Sequence, residues 1–137
     1  MILLDTHVLV WVVKGDPRVG SRTRASIDEA ARDDGAYVSA ITPWEIAMLA
    51  EKGRLPFDVP VATFVDLALG LPGVKLAAIT PAIGVDAGQL PPGVHGDPAD
   101  RLLIATARAL GCPLATVDDK ILRYAAQGHV KAIDARR

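Results

Sequence analysis

Four short apolar runs, Ile2–Leu4, Tyr37–Ala40, Val74–Ile79 and Leu114–Val117, constrain this chain more than any other feature, because they are largely continuous rather than alternating. A strand wetted on one face alternates with a period of two, whereas a strand covered on both faces does not, and double coverage is the mark of a parallel sheet flanked by helices. Val130–Ile133 is a weaker fifth strand candidate. Helical patterns fall between these runs: about His7–Val13, Ser21–Asp34, Thr42 to Gly53, Val61–Leu69, Pro81–Leu90, Pro98–Leu110, and a last helix from near Asp119. Thr42-Pro43-Trp44-Glu45 offers an N-cap, a first-position proline and a capping-box glutamate, and Asp97-Pro98 offers a second start of the same kind. Strands alternating with helices require crossover connections. The expected fold is α/β, a three-layer α/β/α domain with a mostly parallel central sheet of four to five strands. The pattern leaves the strand order open.

Proline and glycine are spread along the 137 residues without a linker, repeat or low-complexity tract, so one domain over residues 1–137 is expected. Fifteen Lys and Arg against sixteen Asp and Glu give a net charge of -1, which argues against a strongly basic nucleic-acid module and against an anionic-membrane binder. A single cysteine, Cys112, allows neither an internal disulfide nor a zinc finger and points to the cytoplasm. The apolar N-terminus is interrupted by Asp5 and His7 and followed by Lys14, unlike a signal peptide. No run approaches the ~20 apolar residues of a membrane span.

In open α/β sheets function gathers outside the carboxyl ends of the strands. Asp5 directly follows the first strand, and Glu45 lies in the first turn of the helix after the second. Asp97 and Asp100 open the helix that feeds the fourth strand, and Asp118 and Asp119 follow that strand. Each has a structural alternative: Glu45 as a capping-box residue, Asp97, Asp118 or Asp119 as an N-cap, and Asp100 as a complement to the helix dipole. Asp5, between Ile2–Leu4 and Val8–Val13, is harder to dismiss, since burying an unpartnered carboxylate costs several kcal/mol. Asp5, Glu45, Asp100 and Asp118 are expected to converge on one sheet edge. Such a cluster needs either protonation or a divalent cation, and an all-oxygen set suits Mg²⁺ or Mn²⁺. Phosphodiester hydrolysis is the chemistry such an ion supports.

The same residues resemble the PIN-domain ribonucleases, and within them the VapC-type toxins of toxin–antitoxin systems. The likeness rests on Ile2-Leu3-Leu4-Asp5-Thr6-His7, on Thr42-Pro43-Trp44-Glu45-Ile46-Ala47 followed by Lys52-Gly53-Arg54-Leu55, on Gly96-Asp97-Pro98-Ala99-Asp100-Arg101 through Ala107, and on Leu114-Ala115-Thr116-Val117-Asp118-Asp119-Lys120-Ile121. It implies a Mg²⁺-dependent endoribonuclease, with Mn²⁺ as a substitute, whose acidic quartet falls on Asp5, Glu45, Asp100 and Asp118. It further implies a structured RNA substrate (transfer or ribosomal RNA), a homodimer, and a VapB-like antitoxin partner that blocks the site. Asp97 matches an accessory acidic position, Asp119 is the alternative to Asp118, and Thr116 matches a hydroxyl residue at the site. Thr6 is a similar candidate, with capping of the first helix as its other reading.

Lys14, Lys52, Arg54, Arg101 and Lys120 are candidate phosphate contacts, each with a solvated surface charge as the alternative. His7 reads as a helix-start residue, His95 as a solvated loop residue, and Trp11 as core. A PIN-like protein that binds RNA or a partner without turnover is the alternative function. A receiver-like signalling domain fits less well, having no place for Glu45 or the Asp97–Asp100 pair.

Overall fold

The computed structural model describes all residues, Met1–Arg137. The elements run β1 (Ile2–Leu4), α1 (Thr6–Lys14), α2 (Ser21–Arg32), β2 (Ala36–Ser39), α3 (Thr42–Glu51), α4 (Val61–Leu69), β3 (Val74–Ala77), α5 (Pro81–Gly88), α6 (Pro98–Leu110), β4 (Leu114–Thr116), α7 (Asp119–Ala126) and β5 (Ala132–Asp134). All five strands pair in parallel in the order β3-β2-β1-β4-β5. The expected three-layer architecture is present. The fifth strand starts two residues later than Val130 and ends one later than Ile133, and β3 stops at Ala77; as an edge strand with Lys75 and Leu76 exposed it lacks the double coverage its sequence suggested.

The layers follow from the strand pleat. Ile2, Leu4, Ala36, Val38 and Ala115 face one side and pack with Val8, Leu9, Ile27, Ile46, Leu49 and Phe64 from α1 to α4. Leu3 and Leu114 face the other side and pack with Leu103, Ile104, Ile121 and Tyr124 from α6 and α7, where Cys112 is a buried filler. No helix is long and apolar enough to cross a membrane.

The chain starts at the centre of the sheet, builds outward through β2 and β3, then returns to the other side of β1. Between β1 and β4 the direction of winding reverses, which opens a crevice at their carboxyl ends. Because every strand runs the same way, α1, α3, α6 and α7 all present their N-terminal turns on that edge, and their first-turn or cap residues include Asp5, Glu45, Asp97, Asp100 and Asp118.

Candidate active site

Asp5 is 7 % exposed and sits at the floor of the crevice. The register pairs Leu4 with Ala115, and the Asp5 amide donates to the Ala115 carbonyl at 3.0 Å, which brings Thr116 beside it on β4. The Thr116 hydroxyl donates to Asp5 Oδ2 at 2.5 Å, and the Thr6 amide donates to Oδ1 at 2.7 Å. Asp5, not Thr6, is therefore the cap of α1. The Thr6 hydroxyl donates to Glu45 Oε1, and Thr42 Oγ1 lies 3.4 Å from Thr6 Oγ1. Glu45 thus makes no capping box: α3 has no side-chain cap, and Ser39 Oγ accepts from the Ile41 amide at its start. With its local role removed, the Glu45 carboxyl turns inward toward β1.

Asp97 caps α6, accepting from the Asp100 amide at 3.1 Å, and Asp118 caps α7, accepting from the Lys120 and Ile121 amides at 2.8 and 3.2 Å through Oδ1 alone. Both also line the crevice. One cavity of about 340 Å³ is walled by Asp5, His7, Trp11, Glu45, Asp97, Asp100, Val117 and Asp118. An adjoining, more open one of about 580 Å³ shares Asp97, Asp100 and Asp118 and adds His95, Asp119, Lys120 and Arg123. Asp119 lines only the open cavity, where Arg136 donates to its Oδ1 at 2.9 Å.

No Lys or Arg comes within 4.0 Å of Asp5, Glu45, Asp97, Asp100 or Asp118; of the imidazoles, His95 places Nε2 3.2 Å from Asp100 Oδ2 and His7 lines the smaller cavity. Burial and mutual repulsion then act on these carboxyls unopposed by a paired cation. Burial pushes the Asp5 carboxyl above its ordinary range against the lowering effect of Thr116 and Thr6. Burial also raises Glu45, as do Asp5 and Asp97. Asp100 is pushed up to about 8, first by desolvation and then by Asp5, Asp97, Asp118 and Glu45. Donor atoms of Glu45, Asp97 and Asp100 lie within 4.8 Å of one another, as do those of His95, Asp100 and Asp118, so Asp100 belongs to both groups. Oxygen-rich, negatively charged and held by backbone and hydroxyl donors, this set fits a hard divalent cation.

Of the five cations named from sequence, Lys120 lines the open cavity. Lys14 donates to the Pro56 carbonyl and lies over Phe57, and Arg101 donates to the Ala87 and Gly88 carbonyls. Lys52 and Arg54 are exposed in the turn after α3. His95, read as a solvated loop residue, is instead folded against Asp100, because the loop before α6 turns back over the crevice and the Asp97 amide donates to His95 Nδ1. Trp11, read as core, is a half-buried wall of the cavity with the Arg18 guanidinium 4.4 Å above its ring. Arg123 gave no sequence signal beyond its helical position.

The chain thus sets unpaired carboxylates at the switch point of an all-parallel sheet. The chain belongs to the PIN-domain family, whose model matches residues 2–127, and within it to the VapC-type ribonucleases. Ribonuclease VapC22 of Mycobacterium tuberculosis is 35% identical over 120 residues, which are 88% of this chain and 88% of that protein. Two solved structures share the fold: VapBC-1 from nontypeable Haemophilus influenzae, at 17% identity and a TM-score of 0.72 with all of both chains covered, and VapBC2 from Rickettsia felis bound to a promoter DNA fragment, at 16% identity and 0.71 over 97% of this chain and 98% of that one.

Proposed function

We propose that this protein is a divalent-cation-dependent endoribonuclease that acts as the toxin of a toxin–antitoxin pair in the cytoplasm. The observation that carries the reading is the convergence of five carboxylates on one crevice without a single Lys or Arg partner within 4.0 Å. Asp5, Asp100, Asp118 and Glu45 would hold Mg²⁺, or Mn²⁺ in its place, with Asp97 alongside. When bound, the ion supplies Lewis-acid charge beside a scissile phosphate.

The chain's own residues do the rest. The donors from Thr6 and Thr116 fix both oxygens of Asp5, so its position costs no reorganisation when charge arrives. The two amides on Asp118 Oδ1 leave Oδ2 without a protein bond, aimed for use in the cavity. Thr6 orients Glu45. Lys120 and Arg123, on the open side, are placed to hold phosphates flanking the cut, which a near-neutral protein needs to bind RNA at all. The substrate class that fits a recessed site of this kind is a structured RNA with an accessible loop, transfer or ribosomal RNA. The partner reading, a homodimer bound by a VapB-like antitoxin, draws on the VapBC pairs that share the fold.

The test is cleavage by antitoxin-free protein of a panel of structured RNAs with Mg²⁺ or Mn²⁺. Activity that disappears on chelation and in Asp5→Asn supports the reading. Cleavage that survives both overturns it.

A further inference from the structure

His95 is not in any acidic motif, yet its ring is seated in the site. Its side chain is 24% exposed, and Nε2 has no accessible surface and no aligned hydrogen-bond partner, although Asp100 Oδ2 is 3.2 Å away. On the other side of the ring the Asp97 amide donates to Nδ1 at 3.3 Å. That bond decides the tautomer. A nitrogen that accepts an amide hydrogen carries its lone pair, so the hydrogen of the neutral ring sits on Nε2. A metal-ligating Nε2 requires the reverse, a lone pair on Nε2 and a hydrogen on Nδ1 given to an acceptor. The ring is therefore built to donate to Asp100 and not to coordinate directly.

We propose that His95 is the positioning residue for Asp100: its Nε2–H grips Oδ2 and fixes the carboxylate common to both groups of cation-binding donors. The inference rests on the cation reading above. The distance is already that of a hydrogen bond. The Asp97 amide thereby acts at two removes, since Asp97 both caps α6 through the Asp100 amide and sets the ring that holds the Asp100 carboxyl. The loop and the helix start position one carboxylate from its backbone side and from its tip.

The test uses the full chain and two variants, with Mn²⁺ and Mg²⁺ as the probes. In H95N an amide oxygen can replace Nδ1 for the Asp97 amide but nothing reaches Asp100, whereas in H95Q the amide nitrogen reaches as far as Nε2. Titration calorimetry should show H95N weakening both ions by the same factor, ~10–100-fold, with H95Q recovering most of it and metal-free melting temperatures alike. Electron paramagnetic resonance of the Mn²⁺-loaded wild type should show no directly bound imidazole nitrogen. Unchanged affinity in H95N, or H95Q as weak as H95N, overturns the proposal. So does a nitrogen coupling, or a loss for Mn²⁺ well beyond that for Mg²⁺, either of which makes His95 a ligand. If the wild type takes up neither ion, the cation reading itself fails, an outcome distinct from a wild type that binds and a variant that does not care.

Discussion

Two sets of carboxylates in this chain, one ion-paired and one in the crevice, differ in what neutralises them. Away from the crevice, Asp16 pairs with Arg18 at 2.7 Å, Asp86 with Arg108 at 2.9 Å, Asp134 with Arg136 at 2.8 Å, and Asp34 with the N-terminal ammonium. In the crevice, Asp5, Glu45, Asp97, Asp100 and Asp118 have backbone amides, hydroxyls and one imidazole, but no permanent cation. The first population is matched by its own sequence, often two residues away. The second is assembled from four distant segments and left unmatched, and helix N-termini offset only part of the repulsion. A protein that spends stability in this way keeps the charge for something that arrives later.

Substitutions should therefore do opposite things in the two places. The largest effect is expected from Asp5→Asn: metal-dependent RNA cleavage falls by at least ~100-fold, since even the supports of metal ligands are worth ~10–100-fold. The same change should leave metal-free thermal stability unchanged or higher, because an unpaired buried charge goes while the Thr6 donor keeps an acceptor. Wild-type cleavage by the variant, or collapse of the metal-free fold, would show that the crevice acids are not distinct from the rest.

Next in size is a pH effect with opposite signs. Asp5, Glu45 and Asp100 have raised carboxyl pKa values, so their contribution to metal-free stability is complete below the ordinary carboxyl range and is lost as pH rises, through about 8 for Asp100. Asp16, lowered to about 2 chiefly by its bonds to Arg18, and Asp34 and Asp134, lowered by the N-terminus and Arg136, contribute above that range and lose their effect in acid. Because a cation competes with the crevice protons, the rise in melting temperature given by Mn²⁺ should grow from about pH 6 to about pH 8. A rise independent of pH over that interval would separate the ion from these acids.

How far this division was legible in the sequence depends on the residue. Asp5 and Asp118 were visible because they directly follow strands of a parallel sheet, whose carboxyl ends share one edge, and Asp100 because it opens the helix that feeds β4. Asp97 and Asp118 read either as helix caps or as site residues, and each caps a helix while lining the crevice: a cap uses one oxygen and leaves the other. Glu45 was less readable, since the capping box that its spacing allows gives way to a bond with Thr6, a partner 39 positions earlier. His95 was misplaced because a loop's return path carries no period; Trp11 packs against the core as its sequence suggests and also forms a wall of the cavity. The strands were legible, β1 to the residue and the others with ends within two residues, and β3 reads as covered because an edge strand of apolar composition looks like a central one.

A smaller effect belongs to Thr116, which links the two sides of the crevice by donating to Asp5 and accepting from the Asp118 amide at 3.1 Å. Thr116→Val keeps the shape and removes both bonds. A loss of ~1–3 kcal/mol is expected from the donor and acceptor left behind, with Mn²⁺ affinity falling by ~10-fold or more as Asp5 is freed. Denaturant unfolding and calorimetry read the two separately; loss of stability at unchanged affinity would assign the hydroxyl to the fold alone.

The smallest effect should come from the matched population. Asp86 bridges α5 to α6 through Arg108 Nε at 2.9 Å and Nη2 at 3.3 Å, with both side chains about one-third exposed. Arg108 keeps a second anchor, the His129 carbonyl at 2.7 Å, when Asp86 is removed. Solvent screening limits such a pair to ~1 kcal/mol or less, so Asp86→Asn should lower the melting temperature by under ~5 °C. The difference should shrink in ~1 M salt, where charges are screened within a few ångströms, and RNA cleavage should match wild type. A drop in cleavage here would mean that α5, which packs on α6 through Ile83, Ala87 and Ala105, carries strain to Asp100 at the other end of α6, and the two populations would then be coupled through one helix.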